Sequence, residues 1–271
     1  MRVAFQGERG AYSEEAAGAL LGEVDVVPCP SLRRVFEVVT RGEANAGVIP
    51  IENSQAGSIN ETYDLLLANA LWIIGEVELR IRHNLLALAG QSLAAIRRVY
   101  SHPQALAQTE AFLYEHGMVA VPAADTAGSA KMVAEQRLMG VGAIASLSAA
   151  RIYGLDVVSA GIETNRSNFT RFLAIAPTPS PRSPRAKTSI AFTTDNVPGA
   201  LYRALGVFAA REINLTKLES RPRRHTPWEY LFYLDLEGHH DDPHFEAALA
   251  ELTKICVFVR VLGSYPKAGS S

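Results

Sequence analysis

The sequence predicts an α/β protein in two parts: a two-lobed α/β domain followed by a smaller unit with a different order of elements. Short apolar runs alternate with helical patterns through the first 177 residues. Four prolines then fall within the eight residues 177–184, which excludes a helix or a central strand there. We therefore predict domains at 1–177 and 187–265, a stiff linker at 178–186 and a tail at 266–271.

The N-terminal part contains more strand candidates than one ordinary sheet holds. Because helical patterns separate most of them, parallel sheets covered by helices are expected, and nine candidates favour two α/β lobes around a cleft. The predicted strands are 3–6, 24–28, 46–51, 71–77, 85–89, 98–101, 119–122, 141–145 and 172–176. The predicted helices are 14–21, 32–39, 59–67, 104–115, 129–137 and 146–152.

The C-terminal part has a different rhythm. Strands are predicted at 188–193, 214–220, 228–237 and 257–262, and helices at 198–211 and 244–252. This β-α-β-β-α-β order is that of a ferredoxin-like unit, and its small size suggests a regulatory or dimerising module.

Composition and charge narrow the function classes. The chain has 271 residues, 48% hydrophobic and 20% charged, with a net charge of −2, so neither nucleic acid nor a membrane is an expected partner. No signal peptide or membrane-spanning segment is seen, and Cys29 and Cys256 lack any metal or redox spacing. We expect a cytoplasmic protein that uses neither a metal nor a cofactor.

Polar residues gather where the predicted strands end, which is where open α/β sheets bind ligands. Hydroxyl and amide side chains dominate, and several begin helices, so a small, multiply oxygenated anion is the expected ligand. On residue type alone, most of these side chains are better explained as helix caps, loop charges or ordinary strand residues.

Several segments, in order, resemble a known family. Pro50-Ile-Glu-Asn-Ser-Gln-Ala-Gly-Ser58, Ser101-His-Pro-Gln-Ala-Leu-Ala-Gln108 and Asn168-Phe-Thr-Arg-Phe172 resemble the signature segments of prephenate dehydratases. Gly199-Ala-Leu-Tyr-Arg-Ala-Leu205 and Glu219-Ser-Arg-Pro222 resemble the phenylalanine-binding motifs of the ACT domain that follows them. The resemblance covers about residues 1–265. It implies a two-lobed catalytic domain like that of periplasmic binding proteins, followed by an ACT domain.

The resemblance also implies a reaction and its residues. The reaction is conversion of prephenate to phenylpyruvate, carbon dioxide and water in phenylalanine biosynthesis. The residues implied for catalysis are Thr170, which would assist the departing hydroxyl, with Asn53, Ser101, Gln108 and Glu52. Those implied for substrate binding are Ser54, His102, Thr126, Arg171 and Phe172. The chain departs from the family pattern around Thr126, where Asp125 and Ser129 are unusual neighbours.

The C-terminal motifs imply feedback by L-phenylalanine and assembly as a homodimer or homotetramer. The residues implied for the effector site are Gly199, Ala200, Leu201, Leu205, Asn214, Glu219, Ser220 and Arg221. Two alternatives stay open: an arogenate dehydratase, which runs the same elimination on the amino-acid analogue, and a non-enzymatic amino-acid-sensing binding protein.

Overall fold

The computed structural model describes residues 1–222 and 230–269, which form two compact units. The first unit comprises Met1–Tyr63 and Val77–Leu173, and the second comprises Asp64–Glu76 and the chain from Ala174 onward. The boundary between the units thus falls inside secondary structure as well as near the prolines. The catalytic and regulatory domain limits expected from the sequence stay a prediction.

Residues Met1–Ala176 contain eleven strands and seven α-helices among the described elements. The strands are β1 (Arg2–Gln6), β2 (Asp25–Cys29), β3 (Ala46–Asn53), β4 (Gly57–Ser58), β5 (Trp72–Arg80), β6 (Asn84–Ala87), β7 (Arg98–Ser101), β8 (Val119–Pro122), β9 (Val141–Ala145), β10 (Asp156–Ser159) and β11 (Phe169–Ala176). The helices are α1 (Tyr12–Leu21), α2 (Leu32–Thr40), α3 (Asn60–Ala68), α4 (Pro103–Gln108), α5 (Glu110–Glu115), α6 (Thr126–Glu135) and α7 (Leu147–Tyr153).

Two separate sheets give the two predicted lobes. The first has the order β2-β1-β3-β11-β5, with β4 beside β3, and its β1 pairs in parallel with β2 and β3. The second has the order β10-β6-β9-β7-β8. In it, β7 is parallel to β8 and β9, whereas β6 and β10 run antiparallel to their neighbours. All nine predicted strands are present, and the α/β class is confirmed.

Three details differ from the prediction. The short strands β4 and β10 were not predicted, because two to four residues carry too little pattern. The predicted helix at 104–115 is two helices that meet at Thr109, whose φ of −120° breaks the helical path. The Thr109 hydroxyl donates to the carbonyl of Ala105 at 2.8 Å, a local bond that competes with the helical pattern.

The lobes of the first unit contact each other at a glycine. Gly10 has φ +85°, and a β-carbon there would lie 2.6 Å from Cα of Ala149 on α7. The Ser146 hydroxyl, which caps α7, donates to the Gly10 carbonyl at 2.6 Å. Only glycine permits this approach, and it fixes the start of α1 beside the second lobe.

The β-α-β-β-α-β order predicted for the C-terminal part is confirmed. The elements are β12 (Ala186–Thr193), α8 (Ala200–Ala209), β13 (Leu215–Pro222), β14 (Tyr230–Glu237), α9 (Pro243–Ile255) and β15 (Phe258–Pro266). The sheet order is β13-β14-β12-β15 and all pairs are antiparallel. Phe192, Phe208 and Phe245 are fully buried between the sheet and the helices.

Two predicted boundaries in this part do not coincide with the ends of the described elements. The strand expected from residue 228 begins at Tyr230 among the described residues, and residues 228 and 229 lie outside them. The helix expected from Pro198 begins at Ala200, because Gly199 caps it in the left-handed region with φ 77°. Pro198 therefore precedes the helix instead of filling its first turn.

The segment 64–76 packs within the second unit. Arg260 on β15 donates to the carbonyls of Leu67 and Asn69 at 2.6 and 2.5 Å, which satisfies the C-terminal end of α3. Lys187 on β12 lies 2.6 Å from a carboxylate oxygen of Glu76, and both side chains are buried. A β-carbon on Gly263 would collide with the carbonyl of Ile73, so the segment lies directly against β15.

Candidate active site

A cavity of about 640 Å³ lies within the first unit and is lined by residues from both lobes. The first lobe contributes the ends of β1 and β3 and the start of β11, and the second contributes α4 and the starts of β6 and α6. Its lining includes Gln6, Tyr12, Ser13, Cys29, Asn53, Glu61, Ile81, His83, His102, Gln104, Gln108, Asp125, Thr126, Thr170 and Phe172. The predicted cleft between the lobes is therefore present, at the edge where parallel strands end.

Strand alternation decides which of the predicted residues reach this cavity. Thr170 and Phe172 on β11 line it, as does Asn53 at the end of β3. Arg171 and Glu52 are neighbours of those residues and point to the other face, where the guanidinium lies 3.1 Å from the carboxylate. The structure therefore does not bring Arg171 or Glu52 into the cavity.

Asn53 organises the hydroxyl of Thr170. Its Oδ1 accepts from the backbone N–H groups of Gln55 and Ala56, both at 3.0 Å. Its Nδ2 donates to Thr170 Oγ1 at 2.9 Å and to Asn168 Oδ1 at 2.8 Å. Because Thr170 accepts this bond and donates none to the described residues, its hydroxyl proton is available to a ligand.

The side-chain oxygen of Gln108 has two close polar neighbours. Its Oε1 accepts from Asn168 Nδ2 at 2.9 Å and lies 2.7 Å from His83 Nε2. Its Nε2 is buried and has no hydrogen-bond partner among residues 1–222 and 230–269. Since an unsatisfied buried donor costs free energy, a ligand oxygen is the natural partner for this amide.

Burial shifts the pKa values of two aromatic side chains: His83, which contacts Gln108, and Tyr12, which contacts His83. Desolvation lowers the pKa of His83, although Gln108 and Glu163 favour its charged form. Desolvation also raises the pKa of Tyr12 well above its ordinary value, with help from Glu15 and Glu163. Both side chains are therefore held neutral near pH 7.

The remaining predicted residues are structural or peripheral in their contacts. Ser101 is fully buried and donates to the Ile144 carbonyl at 2.7 Å, and it does not line the cavity. Ser54 is exposed and bonds to the Ser167 carbonyl and the Phe169 N–H group, which ties the turn after β3 to β11. His102 caps α4 and Thr126 begins α6, and both line the cavity.

The unusual neighbours of Thr126 form a helix cap. The Asp125 carboxylate accepts from the Gly128 N–H group at 2.5 Å, and the Ser129 hydroxyl donates to the Asp125 carbonyl at 2.7 Å. Asp125 also lines the cavity, so it places a carboxylate there while capping α6.

A second, small cavity lies in the C-terminal unit beside the start of α8. Its volume is about 130 Å³, and Ala200 and Leu201 line it with Tyr230 and Phe232. Ser220 pairs with Phe232 across β13 and β14, which brings Glu219, Ser220 and Arg221 to the same end of the sheet. Asn214 contacts Glu237 at the other end of these strands, and Leu205 packs against the core. In a single chain, the predicted effector residues therefore do not all lie at one site.

One group of potential metal ligands occurs among the described residues, in the C-terminal unit. His239, His240 and Asp241 offer ligand atoms within 4.8 Å of one another. However, His239 Nδ1 accepts the Asp241 N–H group at 3.2 Å, and the two imidazole rings are stacked 4.6 Å apart. His240 Nδ1 likewise lies 2.6 Å from the Ser264 hydroxyl, so contacts within the protein already engage these ring atoms.

No helix among the described residues has the length and apolar character that crossing a bilayer requires. The fold and the site together define a two-lobed α/β protein with a polar cavity between its lobes, followed by a ferredoxin-like unit. Comparison with known proteins makes this class specific. The family model for prephenate dehydratase matches residues 3–180, and that for the ACT domain matches residues 188–253.

Individual relatives agree with the family match. The chain is 48% identical to arogenate dehydratase/prephenate dehydratase 2 of Arabidopsis thaliana, over 98% of this chain and 73% of that protein. Prephenate dehydratase from Arthrobacter aurescens, solved in complex with L-Phe, has a TM-score of 0.89 and 32% identity, over 98% of this chain and 90% of that one. GqqA, described as a novel type of quorum quenching acylase, has a TM-score of 0.91 and 35% identity, over 100% and 99% of the two chains.

The chain belongs to the prephenate dehydratase family and carries an ACT domain. It is a dehydratase of aromatic amino acid biosynthesis and thus a lyase, as the resemblance implied. Family membership sets aside the alternative of a non-enzymatic binding protein.

The expected cytoplasmic location is wrong. The Arabidopsis relative above and two further relatives from that plant are chloroplastic proteins. The expectation rested on the lack of a secretory signal and on cysteine usage, and neither observation bears on a plastid.

Proposed function

We propose that this chain converts prephenate to phenylpyruvate and that Thr170 assists the departing hydroxyl group. The observation that carries the proposal is the Thr170 hydroxyl at the cavity wall, which accepts from Asn53 and keeps its own proton free. A hydroxyl arranged in this way donates to an oxygen atom that gains negative charge.

The reaction needs orientation more than chemical activation. The bond between the ring and its carboxylate breaks and releases carbon dioxide. The electron pair moves through the ring and expels the hydroxyl from the opposite carbon, and aromatisation drives the step. Thr170 stabilises the departing hydroxide, and the hydrogen bond from Asn53 to Thr170 Oγ1 makes its proton a better donor.

The substrate carboxylates require donors, which the lobes supply as neutral groups. Helix α1 begins at Tyr12, which lines the cavity, so its N-terminal N–H groups are placed to meet an anionic group of the substrate, whereas the Asp125 carboxylate occupies the N-terminus of α6. The unsatisfied amide of Gln108 adds a further donor. Together they hold the substrate in one orientation.

Charge at the cavity wall favours a second candidate substrate, arogenate. Among the described lining residues the side chains with full charges are Glu8, Glu61 and Asp125, and none is lysine or arginine. Arogenate carries an ammonium group where prephenate carries a keto group, so wall carboxylates attract the ammonium group of arogenate while they repel the carboxylates that both substrates carry. Relatives named for both substrates are consistent with an enzyme that accepts either.

We expect purified enzyme to turn over both substrates, and Glu61→Gln to shift the ratio of their kcat/KM values toward prephenate by about two- to five-fold. Glu61 is exposed in the first turn of α3, so its contribution is modest. Steady-state kinetics with each substrate measures the ratio, and Glu115→Gln, exposed and outside the cavity, is the control. Absence of turnover with both substrates would refute the proposed function, and an unchanged ratio would refute the role of Glu61.

We also propose that L-phenylalanine binds the C-terminal unit and lowers the dehydratase activity. The enzyme that it inhibits is a homodimer or homotetramer. The relative from Arthrobacter aurescens binds L-Phe, and the motif residues Ala200 and Leu201 line the small cavity beside α8. Because Asn214 lies away from that cavity, a complete site requires a second copy of the chain to supply it.

Bulk introduced at the effector motifs should weaken phenylalanine binding and relieve inhibition together. In Gly199→Val, the left-handed φ of 77° disfavours the new side chain, and in Ser220→Leu the exposed β13 position gains volume. Calorimetric titration measures binding, and activity with increasing phenylalanine measures inhibition. Thr253→Leu, exposed on α9, should behave like the parent enzyme. Wild-type enzyme that shows neither heat of binding nor inhibition would rule out the sensor role.

A further inference from the structure

The orientation of each amide at the active site can be derived from two backbone groups. The N–H groups of Gln55 and Ala56 can only donate, and both point to the same Asn53 side-chain atom at 3.0 Å. That atom must be the carbonyl oxygen, so the amide nitrogen of Asn53 is the one that faces Asn168.

The same reasoning applies to the side chains that follow Asn53 in the hydrogen-bond network. Since Asn53 donates, the facing atom of Asn168 is its oxygen, at 2.8 Å, and the Asn168 amide nitrogen is left to donate. It donates to Gln108 at 2.9 Å, which fixes the contacting atom of Gln108 as its oxygen. The Gln108 oxygen also lies 2.7 Å from Nε2 of His83, and two acceptors cannot bond, so His83 Nε2 carries a proton.

The other face of His83 lies against Tyr12. The Tyr12 hydroxyl donates to the Arg82 carbonyl at 2.6 Å and also lies 3.3 Å from His83 Nδ1. The His83 side chain is almost completely buried, and burial favours a neutral ring, in agreement with its lowered pKa. Because the single Tyr12 proton goes to the Arg82 carbonyl, the 3.3 Å contact at Nδ1 does not determine the tautomer, which follows from the Gln108 contact alone.

We propose that His83, as the neutral Nε2–H tautomer, is a positioning residue that acts through Gln108. With Asn168, it holds the Gln108 amide oxygen, and the amide nitrogen is thereby committed to the substrate. The unsatisfied Nε2 of Gln108, on a residue that lines the cavity, is the second observation that points to a ligand there. The proposal rests on the proposed function, because the ligand in question is the dehydratase substrate.

A double-mutant cycle tests whether His83 acts through Gln108. His83→Leu should lower kcat/KM about 5- to 20-fold, the effect of one lost hydrogen bond near the substrate. His83→Gln, which can still donate, should recover part of the loss. In a Gln108→Ala background, His83→Leu should lower kcat/KM less than about two-fold, because the group it positions is gone. Equal effects in both backgrounds would show that His83 does not act through Gln108.

A measurement on the unmodified enzyme keeps the test independent of folding in the variants. With ¹⁵N-labelled histidine, the His83 ring should give the shifts of a neutral Nε2–H tautomer at pH 7, identified by its loss in His83→Gln. An Nδ1–H tautomer or a charged ring would overturn the proposal. His116→Phe, at a half-buried position outside the cavity, is the matched control for activity. If the wild-type enzyme turned over neither substrate, the proposed function would fail, while the tautomer would still report on the amide network.

Discussion

Thr170→Ala should lower kcat by about 10²–10³ while the protein stays folded, because a hydrogen bond to developing charge in the transition state is lost. Asn53 would lose one acceptor and keep two others, Asn168 Oδ1 at 2.8 Å and the Phe169 carbonyl at 3.1 Å. The network around the site should therefore survive the substitution. Steady-state kinetics with prephenate measures kcat, and circular dichroism with thermal unfolding establishes that the variant is folded.

Two further variants isolate the hydroxyl group. Thr170→Ser keeps an Oγ for Asn53 and a proton for the substrate, so it should retain more activity than the alanine variant. Thr40→Ala, at an exposed position in the same unit, removes an equal number of atoms and should leave kcat unchanged. Near wild-type kcat in Thr170→Ala would assign Thr170 a purely structural role and remove the basis of the mechanism.

Lys187→Met should destabilise the protein by about 3–5 kcal/mol, because it leaves the Glu76 carboxylate buried without its cation. The ammonium lies 2.6 and 2.9 Å from the two oxygens of Glu76, and the two side chains are 10% and 1% exposed. The Ala268 N–H group also donates to Glu76 at 3.1 Å, so part of the charge remains solvated by the protein. The midpoint of thermal unfolding should fall by roughly 10 °C.

The partner substitution gives this prediction its control. Glu76→Leu combined with Lys187→Met removes both charges, and an apolar pair of similar volume should be more stable than Lys187→Met alone. Lys254→Ala, an exposed lysine on α9, should change the free energy of unfolding by less than about 0.5 kcal/mol. If Lys187→Met unfolds at the wild-type temperature, the ion pair contributes nothing to stability.

Periodicity predicted the elements well, and it failed where structure depends on distant neighbours. The nine predicted strands of the N-terminal part were found because each contains a run of apolar residues, although β8 is largely exposed and β2 is only partly buried. The direction of β6 could not be predicted, since its antiparallel pairing with β9 depends on how the chain crosses between the lobes. The break at Thr109 is accompanied by hydrogen bonds from its hydroxyl to the carbonyls of Ala105 and Leu106, which composition does not reveal.

The site was partly predictable for the same reasons. The resemblance identified Asn53, Gln108 and Thr170, which line the cavity. Alternation along a strand could have excluded Arg171 once Thr170 was placed, and likewise Glu52 once Asn53 was placed. His83 was missed because it precedes a strand, and only the antiparallel register of Asn84 with Ala145 brings that strand's start to the ligand edge.

The packing of segment 64–76 against β12 and β15 has a consequence for anyone who wishes to express the two parts of this protein separately. A gene cut in the proline-rich stretch would leave this segment on the catalytic fragment and its partners Arg260 and Lys187 on the other. Each fragment would then expose apolar surface and a buried charge to solvent. An ACT module that is exchanged between relatives at that stretch should therefore be matched to the sequence of residues 64–76. The module and this segment pack together in one compact unit.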